Sequence, residues 1–299
     1  MNQLFKYILY LLAGLSLCPY SGFARFSHNN NRAPGEDGTG LVYIYATGPE
    51  LYDPSRSRTL YRQFGRYKFT YSSWPKEYES SYAKGVIRQL INKIGIDHPG
   101  AVSYHLTDFR PESLQRLYDQ LRKSPEEILQ LVLIITAHGG FHDGIFDIRT
   151  YGRSLTSAEL GEIIGSTPTE TVLFTCHSGA VQLKDFPGPV FGSSYQHTSM
   201  DAEHFYEWVE MIQEAKKTKF PVNAKEFYES WLKSMIQAEF YEKSQSVWYR
   251  VANWLQQTTW QQEAEFIYKQ ALLENRVWVR DRPFWYSTNP NSAIPTSEP

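Results

Sequence analysis

Two short segments of the chain carry side chains suited to nucleophilic catalysis. The segment TAHGG, residues 136–140, contains His138, and the segment TCHSGA, residues 175–180, contains Cys176. Each segment directly follows a run of apolar residues. A cysteine attacks a carbonyl carbon as its thiolate, and an imidazole within hydrogen-bond reach can take the thiol proton. These residue types therefore predict a His–Cys dyad, provided that the fold brings the ends of the two apolar runs together.

The two apolar runs belong to an alternation of strands and helices. Continuous apolar runs such as LQLVLIITA and TVLFT are typical of parallel strands buried on both faces. Strands and helices in alternation predict an α/β fold with a mostly parallel sheet and right-handed crossovers. Ligands bind such sheets beyond the carboxyl ends of the strands, where His138 and Cys176 stand. The predicted strands are residues 41–46, 102–106, 129–137, 171–175 and 190–194, and the predicted helices among them are residues 82–94, a helix that starts at Pro111, and one that starts at a capping box of Thr156 and Glu159.

The chain divides into five predicted segments. Residues 41–216 form the α/β domain, and the Trp- and Tyr-rich segment after it is expected to be a helical appendage outside that domain. The last helix of the α/β domain is predicted at residues 202–216. The helices of the appendage are predicted at residues 224–242, 247–256 and 261–275. The other segments are a signal peptide at residues 1–24, a flexible leader at 25–40, the appendage at 217–286 and a disordered tail at 287–299.

The N-terminus has the pattern of a signal peptide. Lys6 precedes an apolar run at residues 7–17 that is too short to span a bilayer comfortably, and Gly22 and Ala24 fit cleavage after Ala24. An uncleaved anchor is the alternative, and a lipoprotein Cys18 is disfavoured because Leu17 is large. Elsewhere no apolar run is long enough to cross a membrane. We therefore expect an exported chain, periplasmic or secreted, with no membrane span in its mature form.

The cysteine count bears on reactivity. The chain has two cysteines, Cys18 and Cys176. Signal cleavage would leave Cys176 alone, without a partner for an internal disulfide. An unpaired thiol in an oxidising compartment points to a reactive group, although an ordinary buried cysteine fits the same count.

Charge and motif searches exclude several functions. The chain has 30 basic and 32 acidic residues without a basic tract, so nucleic acid is not indicated as a partner. It contains no P-loop, no GxGxxG and no GxSxG, so neither a nucleotide cofactor nor the main serine-hydrolase elbow is predicted. We expect no cofactor.

The same residues also fit other roles. His138, His142, Cys176 and His177 include metal-binding types, but Gly139 and Gly140 disfavour the helix that histidines four apart need. His177 would be an alternative base, although a residue adjacent to the nucleophile usually points away from it. His138 would also fit a buried, hydrogen-bonded histidine. In the dyad interpretation, the N–H groups of Gly139 and Cys176 are expected to stabilise an oxyanion.

The motifs HGGFHDG, LTSAEL and VLFTCHSG resemble those of caspase-fold cysteine peptidases, with legumain-like peptidases and CHAT domains the most similar patterns. The resemblance covers about residues 41–216. It implies a caspase-like three-layer sandwich, to which the helical extension is added. It also implies that His138 is the general acid/base and Cys176 the nucleophile.

One position departs from the family pattern. Several of these peptidases have an acidic residue two positions before the cysteine, where it helps to read the substrate side chain. Here the position holds Phe174, so the preferred substrate residue is not predicted. Asp143 and Asp185 are more typical of solvated loop acids. The residues expected to line a substrate pocket are Phe174, Ser178, Ser194 and Asp201.

The resulting expectation is an exported cysteine endopeptidase that acts on a peptide or protein through an acyl-enzyme. One alternative is a non-catalytic caspase-fold module that binds a partner through its aromatic helices. Another is a transpeptidase that uses the same dyad with an amine acceptor, which the sequence does not separate from hydrolysis.

Overall fold

A computed structural model describes thirteen stretches of the chain. The expected signal peptide up to residue 23, most of the leader, Asp201 and the end of the tail lie outside them. The described residues are 24–26, 34–35, 37–48, 61–64, 67–70, 89–107, 109–123, 126–194, 205, 208–209, 211–213, 219–274 and 285–287.

The strands within the described residues form one large sheet and three small ones. The large sheet has the order β13-β12-β11-β7-β2-β5, and its five strands from β12 to β5 are parallel, with β13 antiparallel at the edge. The α/β class and the mostly parallel sheet predicted from the sequence are therefore confirmed. The strands are β1 (Ala24–Phe26), β2 (Leu41–Thr47), β3 (Tyr61–Phe64), β4 (Tyr67–Thr70), β5 (Val102–Thr107), β6 (Glu126–Ile128), β7 (Gln130–Thr136), β8 (Gly139–His142), β9 (Ile145–Arg149), β10 (Ser154–Thr156), β11 (Thr169–Phe174), β12 (Val190–Gly192) and β13 (Trp285–Ser287).

Helices cover both faces of the large sheet. Alternate residues of β2 and β7 enter two separate hydrophobic clusters, which is why these strands are apolar throughout. One cluster contains α1 and α4, and the other contains α2 and α3. Among the described residues, no helix is both long and apolar enough to cross a membrane. The helices with continuously described residues are α1 (residues 89–97), α2 (Pro111–Arg122), α3 (Ser157–Ile164), α4 (Ala224–Ser244), α5 (Val247–Gln256) and α6 (Trp260–Glu274), and residues 205, 208–209 and 211–213 are also helical.

Helix α4 differs from the expected appendage. Its residues Phe227, Trp231 and Leu232 are almost fully buried in the same cluster as the sheet residues Tyr43 and Val172. The first part of the segment 217–286 is thus a layer of the central core. The sequence pattern did not distinguish a helix of the central core from a helix of an appendage, because an apolar stripe has the same spacing whichever surface it packs against.

The start of α4 is fastened to the amino ends of the strands. The Phe220 N–H donates to Asp97 at 2.8 Å, and the Tyr43 hydroxyl donates to the Pro221 carbonyl at 2.9 Å. The Ala224 N–H donates to Glu170 at 2.6 Å, and burial raises the pKa of this carboxyl. These contacts hold the start of α4 at the amino ends of the strands. His138 and Cys176 lie at the opposite, carboxyl ends.

The capping box predicted at Thr156 is confirmed. The Thr156 hydroxyl accepts the Glu159 N–H, and the Glu159 carboxylate accepts the Thr156 N–H at 2.9 Å. That bond to the backbone is the main reason why the pKa of Glu159 is lowered. Helix α3 then ends at Gly165, with φ of 56°, so both ends of the helix are set by local sequence.

Replacing Thr156 by alanine is expected to lower the free energy of unfolding by about 1 kcal/mol, since an N-cap acceptor is lost. Chemical denaturation of both proteins measures the difference. Ser166→Ala, at an exposed turn just after α3, is the matched control and should leave stability within about 0.5 kcal/mol. An equal loss in both variants would contradict the capping role.

Between β7 and α3 the chain forms a small three-stranded sheet that the sequence analysis did not predict. Strands β8, β9 and β10 are antiparallel neighbours. The turn between β8 and β9 is Asp143-Gly144, and both residues have positive φ, 53° and 79°. A two-residue Asp-Gly turn of this kind is a strong hairpin signal. This sheet follows directly on His138 and forms one wall of the region around it.

Candidate active site

The register of two neighbouring strands brings His138 and Cys176 to the same level. The parallel pairing of β7 with β11 ends at Thr136 and Phe174. His138 and Cys176 each follow two residues after that last pair. Neighbouring strands lie about 4.8 Å apart, so the two segments leave the sheet side by side at its carboxyl edge.

Gly139 lies directly against Cys176. A Cβ atom at position 139 would be 2.0 Å from the Cys176 carbonyl oxygen and 3.1 Å from the Phe146 ring. No side chain fits there without movement of the backbone. The sequence predicted a role for the Gly139 N–H at an oxyanion, and the structure adds a close approach of this glycine to the backbone of the cysteine. Gly139 therefore allows the histidine-bearing and cysteine-bearing segments to touch.

The Gly139 N–H has a direction set by the β8–β9 ladder. The Arg149 N–H donates to the His138 carbonyl at 2.8 Å, and Gly139 is opposite Ile148. Antiparallel pairs alternate between hydrogen-bonded and non-hydrogen-bonded. Gly139 and Ile148 thus form a non-hydrogen-bonded pair, so the Gly139 N–H points away from β9.

The backbone after Cys176 turns sharply. His177 has φ of 58° and ψ of 18°, the left-handed conformation that a non-glycine residue seldom adopts. A short 3-10 turn, Ser178–Ala180, follows. Such backbone persists only when the surrounding structure holds it in place, and it is frequent at active sites.

Two buried serines hold this turn. The Ser178 hydroxyl donates to the Ser194 carbonyl at 2.8 Å and accepts the Ser194 N–H at 3.0 Å. The Ser194 hydroxyl accepts the Ser178 N–H at 3.0 Å and donates to the Thr175 carbonyl at 2.9 Å. Both side chains were expected to line a substrate pocket. In the structure they are buried, and they fasten the cysteine loop to the chain just after β12.

Phe174 lies in the core beneath the cysteine. Its side chain has no exposed surface. It was also expected at the substrate pocket, but its ring contacts other aromatic rings under the helical layer. An aromatic residue at this position therefore has a packing role, and a carboxylate here would be buried among apolar rings. The rings around it, with centroid distances of 5.0–6.3 Å, are those of Phe191, Phe205, Trp208, Phe227 and Trp231.

His138 is exposed at the carboxyl ends of the strands, and two influences act on its imidazole. Partial desolvation of the ring by the surrounding residues, first, and the positive charge of Arg149, second, hold the pKa of His138 below its usual value. Both favour the neutral ring, the form that can accept a proton. Arg149 was missed in the sequence analysis because its proximity to His138 depends on the β8–β9 pairing.

We expect His138 to titrate below pH 6.5, the usual value for histidine, and Arg149→Gln to raise its pKa. Because the folded-state pKa is lowered, the stability contribution of the neutral ring is present above pH 6.5 and is lost as the pH falls. NMR titration of the His138 ring measures the shift. Lys225→Gln, at the amino end of α4, is the control and should leave the titration unchanged. A pKa that does not rise in Arg149→Gln would contradict the electrostatic contact.

The small sheet also brings Asp147 and His142 together. Above Gly140, a Cβ atom would lie 2.4 Å from the Asp147 Oδ1 atom and 3.2 Å from the His142 Nε2 atom. Within the described residues, however, no three His, Cys, Asp or Glu side chains converge as metal ligands. His142 and Asp147 thus both lie next to Gly140, beside the candidate dyad.

Comparisons with known proteins give little for this chain. No protein-family model matches it, and no curated protein is similar to it. Among solved structures, Raptor from Chaetomium thermophilum is similar, with 11% sequence identity and a TM-score of 0.40. That similarity covers 75% of this chain and 23% of Raptor, so this chain spans less than a quarter of Raptor's length.

Proposed function

We propose that this chain is an exported cysteine endopeptidase in which Cys176 is the nucleophile and His138 the general acid/base. The observation that carries the proposal is the register of β7 and β11, from which His138 and Cys176 follow at equivalent positions. Gly139 in contact with the Cys176 backbone and the strained His177 after it support the same assignment. Both features are expected where a nucleophile has to be held in a fixed direction.

The reaction proceeds through two acyl transfers. His138 takes the thiol proton, and the Cys176 sulfur attacks the scissile carbonyl carbon to give a tetrahedral oxyanion. The Gly139 N–H, which points away from β9, is one donor for that oxyanion, and the Cys176 N–H is the other. His138 then gives its proton to the leaving amine, and the C–N bond breaks. Water, deprotonated by His138, hydrolyses the thioester and restores the thiol.

The caspase-like architecture is part of the proposal. The histidine follows a central parallel strand, the cysteine follows its neighbour, and helices cover both faces. This arrangement fits the three-layer sandwich that the HGG and CHSG motifs imply. Export is proposed from the signal-peptide pattern of residues 1–24 alone.

Alkylation of the exported protein tests the proposal. Cys176 is the one cysteine left if residues 1–24 are removed. Iodoacetamide is therefore expected to modify a single site and to abolish cleavage of a mixed peptide library. Mass spectrometry of the digested protein locates the adduct, and His138→Ala should slow the alkylation. Cleavage that continues after complete alkylation would rule out the dyad.

The same experiment separates the alternatives. A transpeptidase would join an added amine acceptor, such as a glycine peptide, to the acyl fragment in preference to releasing the free acid. A non-catalytic binding module would be alkylated without any cleavage before treatment. Neither result is expected for an endopeptidase.

A further inference from the structure

Helix α5 presents its apolar side to solvent. At 100° per residue, its five exposed apolar side chains fall within an arc of about 120° on one side of the helix. They are Val247, Trp248, Val251, Trp254 and Leu255, with exposed fractions of 61%, 83%, 45%, 76% and 68%. A surface helix normally turns such an arc toward the core, so this orientation is the reverse of the usual one.

The opposite, polar side of α5 is the one that packs on the protein. Asn253 is buried, and its carbonyl accepts the Thr258 N–H at 3.0 Å. The Tyr249 hydroxyl donates to the Glu263 carboxylate of α6. These contacts fix the rotation of α5, so the outward direction of the apolar arc follows from the fold.

A separate cleft lies beside the polar side of α5. Its volume is about 340 Å³, and it is lined by Phe240 of α4, Gln256 at the end of α5, and Phe266 and Ile267 of α6. The apolar arc is not part of this cleft. We call the five exposed apolar side chains of the arc the α5 patch.

The size of the α5 patch points to a protein interface. Counting roughly 150–250 Å² for each aromatic side chain, the exposed parts of Trp248 and Trp254 alone amount to roughly 240–400 Å². The exposed parts of Val247, Val251 and Leu255 add to this area, so the patch approaches the ~800 Å² that each partner gives to a standard interface. The largest apolar patch of a typical monomer is about 300–600 Å².

We propose that the α5 patch is the interface of a homodimer, occupied by the α5 patch of a second copy of this chain. The helix is suited to a two-fold axis. If two α5 helices cross antiparallel at Val251, the register places Trp248 against the partner's Trp254 and Val247 against the partner's Leu255. Each large side chain then meets another large one, around a small residue at the crossing point, as an isologous interface requires.

The charges around the helix favour a second copy over a lipid surface. The arc itself holds no charged side chain, so dimerisation buries none. The one charged residue of α5 is Arg250, on the flank of the arc. Helices that bind membranes in the interface usually have a polar side rich in Lys and Arg, whereas α5 has a single cationic side chain, Arg250.

Sedimentation of the exported protein at several concentrations tests the dimer. Wild type is expected to shift from monomer to dimer as its concentration rises. Trp248→Glu should raise the dissociation constant of the dimer at least about 100-fold, because an aromatic contact is lost twice in a two-fold interface. Trp248 is mostly exposed, so the variant should keep the wild-type circular dichroism. Trp254→Glu should have the same effect.

Ile96→Glu is the matched control. Ile96 is 75% exposed, but it lies on α1 next to Asp97, which bonds the segment before α4, at the far end of α4 from α5. The Ile96→Glu variant should dimerise with the same dissociation constant as the wild type. A wild-type chain that stays monomeric at about 100 μM, or Trp248→Glu that still dimerises, would overturn the proposal. So would a monomer that binds vesicles of phosphatidylglycerol and phosphatidylethanolamine through Trp248, which would assign the patch to a lipid surface.

Discussion

Cys176→Ala is expected to fold like the wild-type protein and to lose peptide hydrolysis by at least about 10⁴-fold, the scale seen when a nucleophile that acts together with a base is removed. The side chain is only partly buried, so removing one sulfur atom leaves at most a small cavity. The measurement is the release of new amino termini from a mixed peptide library, with circular dichroism and thermal unfolding as checks on the fold.

The other cysteine provides the control. Cys18→Ala removes a thiol from the segment interpreted as a signal peptide, and it should leave the hydrolysis rate unchanged. Substantial hydrolysis by Cys176→Ala, with wild-type folding, would refute Cys176 as the nucleophile.

Gly139→Ala is expected to reduce hydrolysis at least about 100-fold, since a displacement of about 1 Å in a reacting group has that effect. The added methyl group would lie 2.0 Å from the Cys176 carbonyl oxygen. That oxygen is part of the backbone, which the serine contacts of the cysteine loop hold in place. The two segments must therefore move apart, and we also expect a loss of about 1–3 kcal/mol in unfolding free energy.

Alanine substitutions at two other glycines serve as controls, with a smaller and with no expected steric conflict. At Gly140 the new methyl group would meet the Asp147 carboxylate at 2.4 Å, a side chain that can rotate away, so Gly140→Ala should cost less than Gly139→Ala. At Gly95, on the exposed side of α1, nothing lies within 4 Å, and alanine there should stabilise the helix by about 0.5–1 kcal/mol. Equal hydrolysis rates in Gly139→Ala and Gly95→Ala would show that the contact with Cys176 is not needed.

The sequence was informative wherever structure is decided locally. The strands β7 and β11 were predicted because a strand buried on both faces has to be apolar at every position. Helix α3 was predicted from Thr156, Glu159 and Gly165, which act on the helix that they bound. The positions of His138 and Cys176 at the ends of β7 and β11 follow from the same strand patterns.

Contacts between distant parts of the chain were not predicted. Ser178 and Ser194 were assigned to a pocket because short polar residues near a nucleophile suit one, and their pairing depends on where β12 ends. Phe174 was assigned to the substrate pocket from its position two residues before Cys176. Its contact with Trp231, from a helix much later in the chain, depends on the fold. The apolar arc of α5 was unremarkable in the sequence, since its outward direction is set by Asn253 and Tyr249.

The aromatic contact beneath Cys176 also bears on the order in which the protein folds. The last residue of β11, Phe174, is covered by Phe227 and Trp231 of α4. A chain made from its N-terminus first exposes β11 long before α4 has been synthesised. Its cysteine loop therefore stays on an uncovered strand until α4 has been synthesised. A fragment that stops before α4 would keep every residue proposed for catalysis and still lack the layer that supports them, so the proposed site is not complete until α4 has packed on the sheet.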